Sequence, residues 1–190
     1  MSDFKEQNDK TSLGFWLYIM TDLMLFAAFF ACFMILRHNT NGGPAGSDIF
    51  DLTFVLTETV ILLSSTYLCA LAYLALKHNK TSQFWQYLIG TIVLGVAFLA
   101  LEVSEFAKLL NDGDSWQVSA FLSSFFALVG LHGLHILVGL IWGITLAFAI
   151  KKQGVTKHLL RKFGLFAMFW HFLDIVWIFI FTIVYVLGVI

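Results

Sequence analysis

Charge is scarce in this chain: Asp, Glu, Lys and Arg make up 12% of its 190 residues, about half the share of an ordinary soluble domain. A soluble fold of this length needs a polar surface around its core. With 59% hydrophobic residues there is too little polar material to make one, and an integral membrane protein is implied. The net charge of −1 carries no basic excess, so no nucleic-acid partner is expected. Cysteine is nearly absent. Cys32 and Cys69 lie in apolar runs without CxxC spacing and read as small apolar fillers. The one proline, Pro44, falls in the stretch NGGPAGSD and marks a turn. No internal repeat and no low-complexity tract interrupts the chain. The polar start MSDFKEQNDK is followed by an apolar run too long for a signal-peptide core, so the N-terminus is expected to be retained.

Long apolar runs are what the sequence does have. Five of them reach the ~20 residues that a helix needs to cross a hydrocarbon core: roughly 13–36, 52–76, 84–107, 118–150 and 163–190. The connections KHNKTSQ, KLLNDGDSWQ and KKQGVTKHLLRK are short and polar. The expectation is an all-α, polytopic membrane protein, a single five-span helix bundle over residues 1–190. Lysine and arginine set its orientation, because they concentrate on the cytoplasmic side. Lys5, Lys10, Lys77, Lys80, Lys151, Lys152, Lys157, Arg161 and Lys162 share one side, against Arg37 and Lys108 on the other. The N-terminus is therefore expected in the cytoplasm and the C-terminus outside. Trp85 and Trp116, beside connections, fit interfacial anchors.

Eight ionisable residues fall inside these runs: Asp22, Glu58, Glu102, Glu105, His132, His135, His171 and Asp174. Such residues are rare in lipid and normally face a bundle interior, a partner or water. Counting ~1.5 Å per helical residue from the cytoplasmic boundary puts Asp22, His171 and Asp174 at ~14 to ~18 Å. The other five come out at ~24 Å or beyond. Two levels are thus expected, with Asp22 the natural neighbour of His171 and Asp174 in the stretch WHFLDIVW. Three chemistries suit such groups. HGLH and HFLD each place two side chains on one helix face, as metal or haem ligands would be. Their separation in depth argues against a shared site. Acids and histidines in a membrane also mark proton paths, although between the two levels only Ser and Thr would bridge. The third reading is hydrogen bonding between neighbouring helices, worth ~1 kcal/mol per contact, and it asks least of the sequence. No catalytic, cofactor-binding or metal-binding residue is assigned. Gly139 and Gly143 form a GxxxG spacing, with Gly130 and Gly133 before it, and such small residues let helices approach closely.

FWLYIMTDLMLFAAFF, ALEVSEF, FFALVGLHGLHILVG and WHFLDIVWIFIFTIVYVLG, in this order and spacing, resemble subunit III of the haem-copper respiratory oxidases. The resemblance runs from about Gly14 to Gly188. Many members have seven spans, and this chain opens at what corresponds to the third. NGGPAGSDIFDL and the glutamate in FVLTETVILLSS resemble the five-span subunit of bacterial cytochrome bo-type ubiquinol oxidases. A short cytochrome c oxidase subunit and the accessory protein of nitric oxide reductase are the family alternatives. A stand-alone transporter or proton channel using the buried acids is the alternative from another class. The resemblance implies a chain without haem, copper or quinone sites, part of a proton-translocating quinol:oxygen oxidoreductase in the bacterial plasma membrane. Haem and copper are then expected in the partner subunit I, with subunit II, a small subunit IV and membrane lipids as further neighbours. It also implies that Glu105, His132, His135, His171 and Asp174 match family motifs. Asp22 stands where a glutamate is usual, one methylene shorter.

Overall fold

The computed structural model describes residues 2–40, 42, 46–49 and 51–189, all helix and connection with no strand among them. Helix α1 runs Ser2–Leu36, the short α2 Gly46–Ile49, α3 Leu52–Lys77, α4 Thr81–Asn111, α5 Ala120–Gln153 and α6 Lys157–Ile180. A π-helical turn, Phe181–Val186, continues α6 and leads into a last turn, α7, Leu187–Val189. Among the described residues, five helical segments are long and apolar enough to cross a membrane: Lys10–Leu36, Leu52–Lys77, Thr81–Asn111, Ala120–Gln153 and Lys157–Val186.

Local chemistry explains the boundaries, including those that differ from the apolar runs. The fourth apolar run opens at Val118, but α5 starts at Ala120 because Ser119 caps it, its hydroxyl accepting from the Leu122 N–H at 3.1 Å. Thr156 does the same for Leu159 at 3.2 Å, so α6 begins six residues before the apolar run at Phe163. The polar stretch KHLLRK is helix rather than loop. Asp51 caps α3, accepting from Thr53 and Phe54. Gly154, at φ +74°, ends α5 with a backbone conformation that suits glycine.

Helix α6 is the most buried of the spans and α1 the least. Helices α3 and α4 pack as an antiparallel hairpin, α6 lies against both α3 and α5, and α1 rests mainly on α5. What holds α6 in the middle is aromatic. Trp170 lies between Gly95 of α4 and Gly139 of α5: a Cβ built on either glycine would come within 2.9 and 2.8 Å of the indole. Its Nε1–H donates to Ser65 Oγ of α3 at 3.2 Å, and that hydroxyl donates to the Thr91 carbonyl of α4 at 2.9 Å. Gly143 gives room to the Phe166 ring, 3.0 Å from a built Cβ. The GxxxG spacing of α5 is therefore a pair of seats for α6 rings, not a groove for close backbone contact.

Candidate functional site

Trp177 repeats the arrangement of Trp170 two turns further along α6. Its Nε1–H donates to Thr59 Oγ1 at 3.0 Å, and Thr59 donates to its own helix at the Val55 carbonyl. The seven-residue step on α6 meets a six-residue step on α3, from Ser65 back to Thr59, as antiparallel helices require. Phe98 of α4 stands edge-on to Trp177, with ring centroids 4.7 Å apart. The His132 imidazole of α5 stacks on Trp177 at 5.3 Å and stands edge-on to Phe98 at 6.0 Å, so the three rings form a triangle. His132 is fully enclosed, and neither ring nitrogen has a hydrogen-bond partner.

Around this stack gather the outer acids. Glu58 of α3 and Glu102 of α4 are 0% and 2% exposed, and none of their four oxygens has a hydrogen-bond partner. Glu102 lies against the backbone of Gly133, where a built Cβ would meet its Oε1 at 2.8 Å. The middle glycine of HGLH thus makes room for the carboxyl. Glu105, one turn further out, accepts from the Tyr185 hydroxyl at 2.8 Å. Glu58, Glu102 and Glu105 are within electrostatic reach of one another. On its far side Glu105 lines an outer cup of about 260 Å³ with Asp51, Lys108, Asp112 and Asp114.

The second histidine of HGLH turns elsewhere. His135 Nδ1 donates to the Leu131 carbonyl at 2.8 Å, since a carbonyl only accepts, and Nε2 comes within 3.7 Å of Asp22 Oδ2 on α1. Phe26 lies beside this pair, 5.2 Å from the His135 ring. His171 on α6 bonds within its own helix, Nδ1 to the Ala167 carbonyl at 2.6 Å. It also lines a groove of about 790 Å³ between α1, α3 and α6, with Trp16, Tyr73 and Ile175. Asp174 is buried, with Oδ1 unpartnered.

This geometry corrects the depth count. No hydrogen bond or ion pair among the described residues joins Asp22 to His171 or Asp174, whereas His135, which the count puts in the outer level, is beside Asp22. The count assumes upright helices leaving one plane. Helix α5 has 34 residues, ~51 Å of helix across a ~30 Å core, so its lysine end projects and the count runs long. Sequence reasoning also misses the groups that do join the helices: Trp170, Trp177, Ser65, Thr59 and Tyr185. Two Trp seven residues apart on one helix, set against two hydroxyls six apart on an antiparallel one, are the available signal. The two HGLH rings diverge, and among the described residues no group of three His, Cys, Asp or Glu is placed to hold a metal ion.

The family model for cytochrome c oxidase subunit III matches residues 5–189. The chain belongs to this family. Subunit 3 of the cytochrome bo(3) ubiquinol oxidase of Pseudomonas aeruginosa is 46% identical over 183 residues, covering 96% of this chain and 88% of the relative. Cytochrome c oxidase subunit 3 of a Bacillus species is 39% identical over 180 residues, 94% of this chain and 86% of the relative. Quinol oxidase subunit 3 of Bacillus spizizenii is 37% identical over 176 residues, 93% and 86% respectively. As a subunit III, the chain is a multi-pass membrane protein and an accessory subunit of a haem-copper oxidase, with other oxidase subunits as its partners. The stacked His132, the Trp177–Thr59 bond and the Asp22–His135 approach are then features of an accessory subunit's own packing.

Proposed function

We propose that this chain is the non-catalytic, structural subunit of a proton-pumping quinol oxidase in a bacterial plasma membrane. It forms one five-span domain, with its N-terminus in the cytoplasm and its C-terminus outside, packed on subunit I beside subunit II and a small subunit IV. The complex oxidises quinol and reduces oxygen to water. Haem and copper reside in subunit I, and lipids fill the space between helices. One observation carries the structural reading: three polar groups of the two signatures, Trp170, Trp177 and His135, meet groups on other helices, in Trp170–Ser65, Trp177–Thr59 and Asp22–His135. Quinol as donor is supported by the higher identity to a ubiquinol oxidase subunit, 46%, than to a cytochrome c oxidase subunit, 39%. The buried acids serve as helix-joining or proton-sharing groups rather than as a reaction centre.

The test is an oxygen-electrode assay on the purified complex with and without this chain. Removing it leaves the initial rate of quinol oxidation intact and shortens the lifetime of activity. Reduced cytochrome c supports no turnover. If Asp22→Asn, His171→Gln or Asp174→Asn abolishes quinol oxidation in a fully assembled complex, the structural reading fails. A chain that purifies alone, without haem-bearing partners, would instead support the transporter reading.

A further inference from the structure

Glu58 of α3 and Glu102 of α4 lack a visible donor. All four carboxyl oxygens are fully enclosed and none has a hydrogen-bond partner. An ionised carboxyl only accepts, whereas a protonated one also carries an O–H to donate. The donors nearby are already used or turned away. Tyr185 gives its single phenolic hydrogen to Glu105. Trp177 gives its N–H to Thr59, and Thr59 gives its own hydrogen to the Val55 carbonyl. Neither nitrogen of His132 bonds to a carboxyl, and Lys108 lines the outer cup with Glu105 rather than with these two. Water does not fill the gap either. The depression of about 280 Å³ that Glu102 helps to line stops short of its oxygens, and a water needs room as well as polar partners.

The helix register brings the two carboxyls together. Ser65 and Thr91 bond to each other's backbone across the α3–α4 hairpin, at 2.9 and 3.5 Å, so Glu58 lies level with Phe98. Glu102 is one turn beyond that level, ~6 Å along α4. Side chains on a helix lean toward its N-terminus. In an antiparallel pair, Glu58 therefore leans toward the C-terminal end of α4, and Glu102 leans back to meet it. The gap closes from both sides, and the two acids are within electrostatic reach. Gly133 of α5 backs the arrangement: a Cβ built there would stand 2.8 Å from Oε1 and 3.1 Å from Oε2 of Glu102. The carboxyl fills the space that a side chain at this position would take.

We propose that Glu58 and Glu102 both keep their protons and hydrogen-bond carboxyl to carboxyl, a neutral acid pair that ties α3 to α4. Two O–H groups then supply what the enclosed acceptor oxygens lack. Ionisation of either acid would leave an unpaired charge in hydrocarbon, and ionisation of both would set two like charges side by side. Glu105 stands apart, with a phenol as its donor and Lys108 beside it in the outer cup. Joining helices and sharing protons become a single role at this pair. The pair deepens the helix-joining role proposed for the chain and rests on the membrane spans of that reading.

The test is infrared absorption of the purified complex, taken as difference spectra between wild type and Glu58→Gln, Glu102→Gln and the double variant. Glutamine keeps a donor and an acceptor in nearly the same shape, so the helices stay joined. Each single difference loses one C=O stretch of a protonated carboxyl and no carboxylate stretch, and the C=O band of the remaining acid shifts. The two single differences therefore do not sum to the double. Loss of a carboxylate stretch in either single difference overturns the neutral state. Single differences that do sum to the double overturn the hydrogen bond between the acids. If a glutamine variant does not assemble, Glu58→Asp or Glu102→Asp keeps an acid in place and moves the same C=O band; a moved carboxylate band overturns the neutral pair. Each of these failures leaves the accessory-subunit reading standing, because that reading falls instead on lost quinol oxidation or on a chain without haem-bearing partners.

Discussion

Gly139→Ala tests whether the small residues of α5 are ring seats. The new methyl would lie 2.8 Å from Trp170 Cζ3 and 3.2 Å from Phe169 Cε1, against ~3.5–4.0 Å for carbons at ease. The indole has nowhere to retreat. A built Cβ on Gly95 comes within 2.9 Å of its other edge, and its N–H is held by Ser65. Overpacking of this kind costs about 1–3 kcal/mol, more than the ~1 kcal/mol that alanine gains over glycine in a helix. The net loss of about 1 kcal/mol corresponds to ~2–4 °C for a chain of this size. The assay is a heat step on the detergent-solubilised oxidase, followed by gel filtration. It reads the temperature at which half of this chain has left the haem-bearing fraction. Gly139→Ala lowers that midpoint. Trp170→Phe lowers it further, by losing the hydrogen bond and part of the ring. The double variant is no worse than Trp170→Phe alone, a coupling of about 1 kcal/mol between touching groups. Gly14→Ala, where nothing lies within 4 Å of a built Cβ, leaves the midpoint unchanged or raises it. Additive effects of the two substitutions, or a rise for Gly139→Ala matching that of Gly14→Ala, would refute the seat.

The same heat assay reads the other contacts. Trp177→Phe and Thr59→Val each remove one side of a single 3.0 Å hydrogen bond. Each costs about 1 kcal/mol, and together they cost less than the sum. Tyr185→Phe removes the donor to Glu105 and lowers the midpoint by a similar step, while Tyr67→Phe, on an exposed side chain, does not. Asp51→Ala strips the cap of α3 and costs about 1 kcal/mol; Asp51→Ser recovers most of it. Asp22→Asn keeps a polar group facing His135 and is milder than Asp22→Leu, which leaves Nε2 without its neighbour. Equal effects of the two would mean that the 3.7 Å approach contributes nothing.

The five spans are legible in the sequence because apolar run length and polar breaks decide them, and both are local properties of the chain. The true helix starts are nearly so, since Ser119 and Thr156 are capping residues placed where a cap is needed. Which buried groups meet is not legible. Depth along one helix says nothing of its tilt or of how far its ends project, and depth alone therefore puts His135, which lies beside Asp22, in the outer level. The GxxxG spacing flags small residues correctly but not what fills the space above them, because the rings come from WHFLDIVW on another helix. Tyr185 escapes for a different reason: its position depends on a turn that no hydrophobic period announces.

That turn fixes where the chain tolerates a change of length. Leu187 N–H donates to the Thr182 carbonyl, five residues back, so Phe181–Val186 holds one residue more per turn than the helix before it. Deleting a residue there would not break the helix. It would restore the ordinary pitch and leave the residues beyond on the same face, because the π turn spends about one extra residue on the arc that the α-helix covers without it. A homologue one residue shorter at this point is expected to keep its fifth span and the facing of its tail. A gap of one residue in this segment is therefore absorbed without rewiring the spans, whereas a gap in the regular part of α6 turns everything beyond it by ~100°.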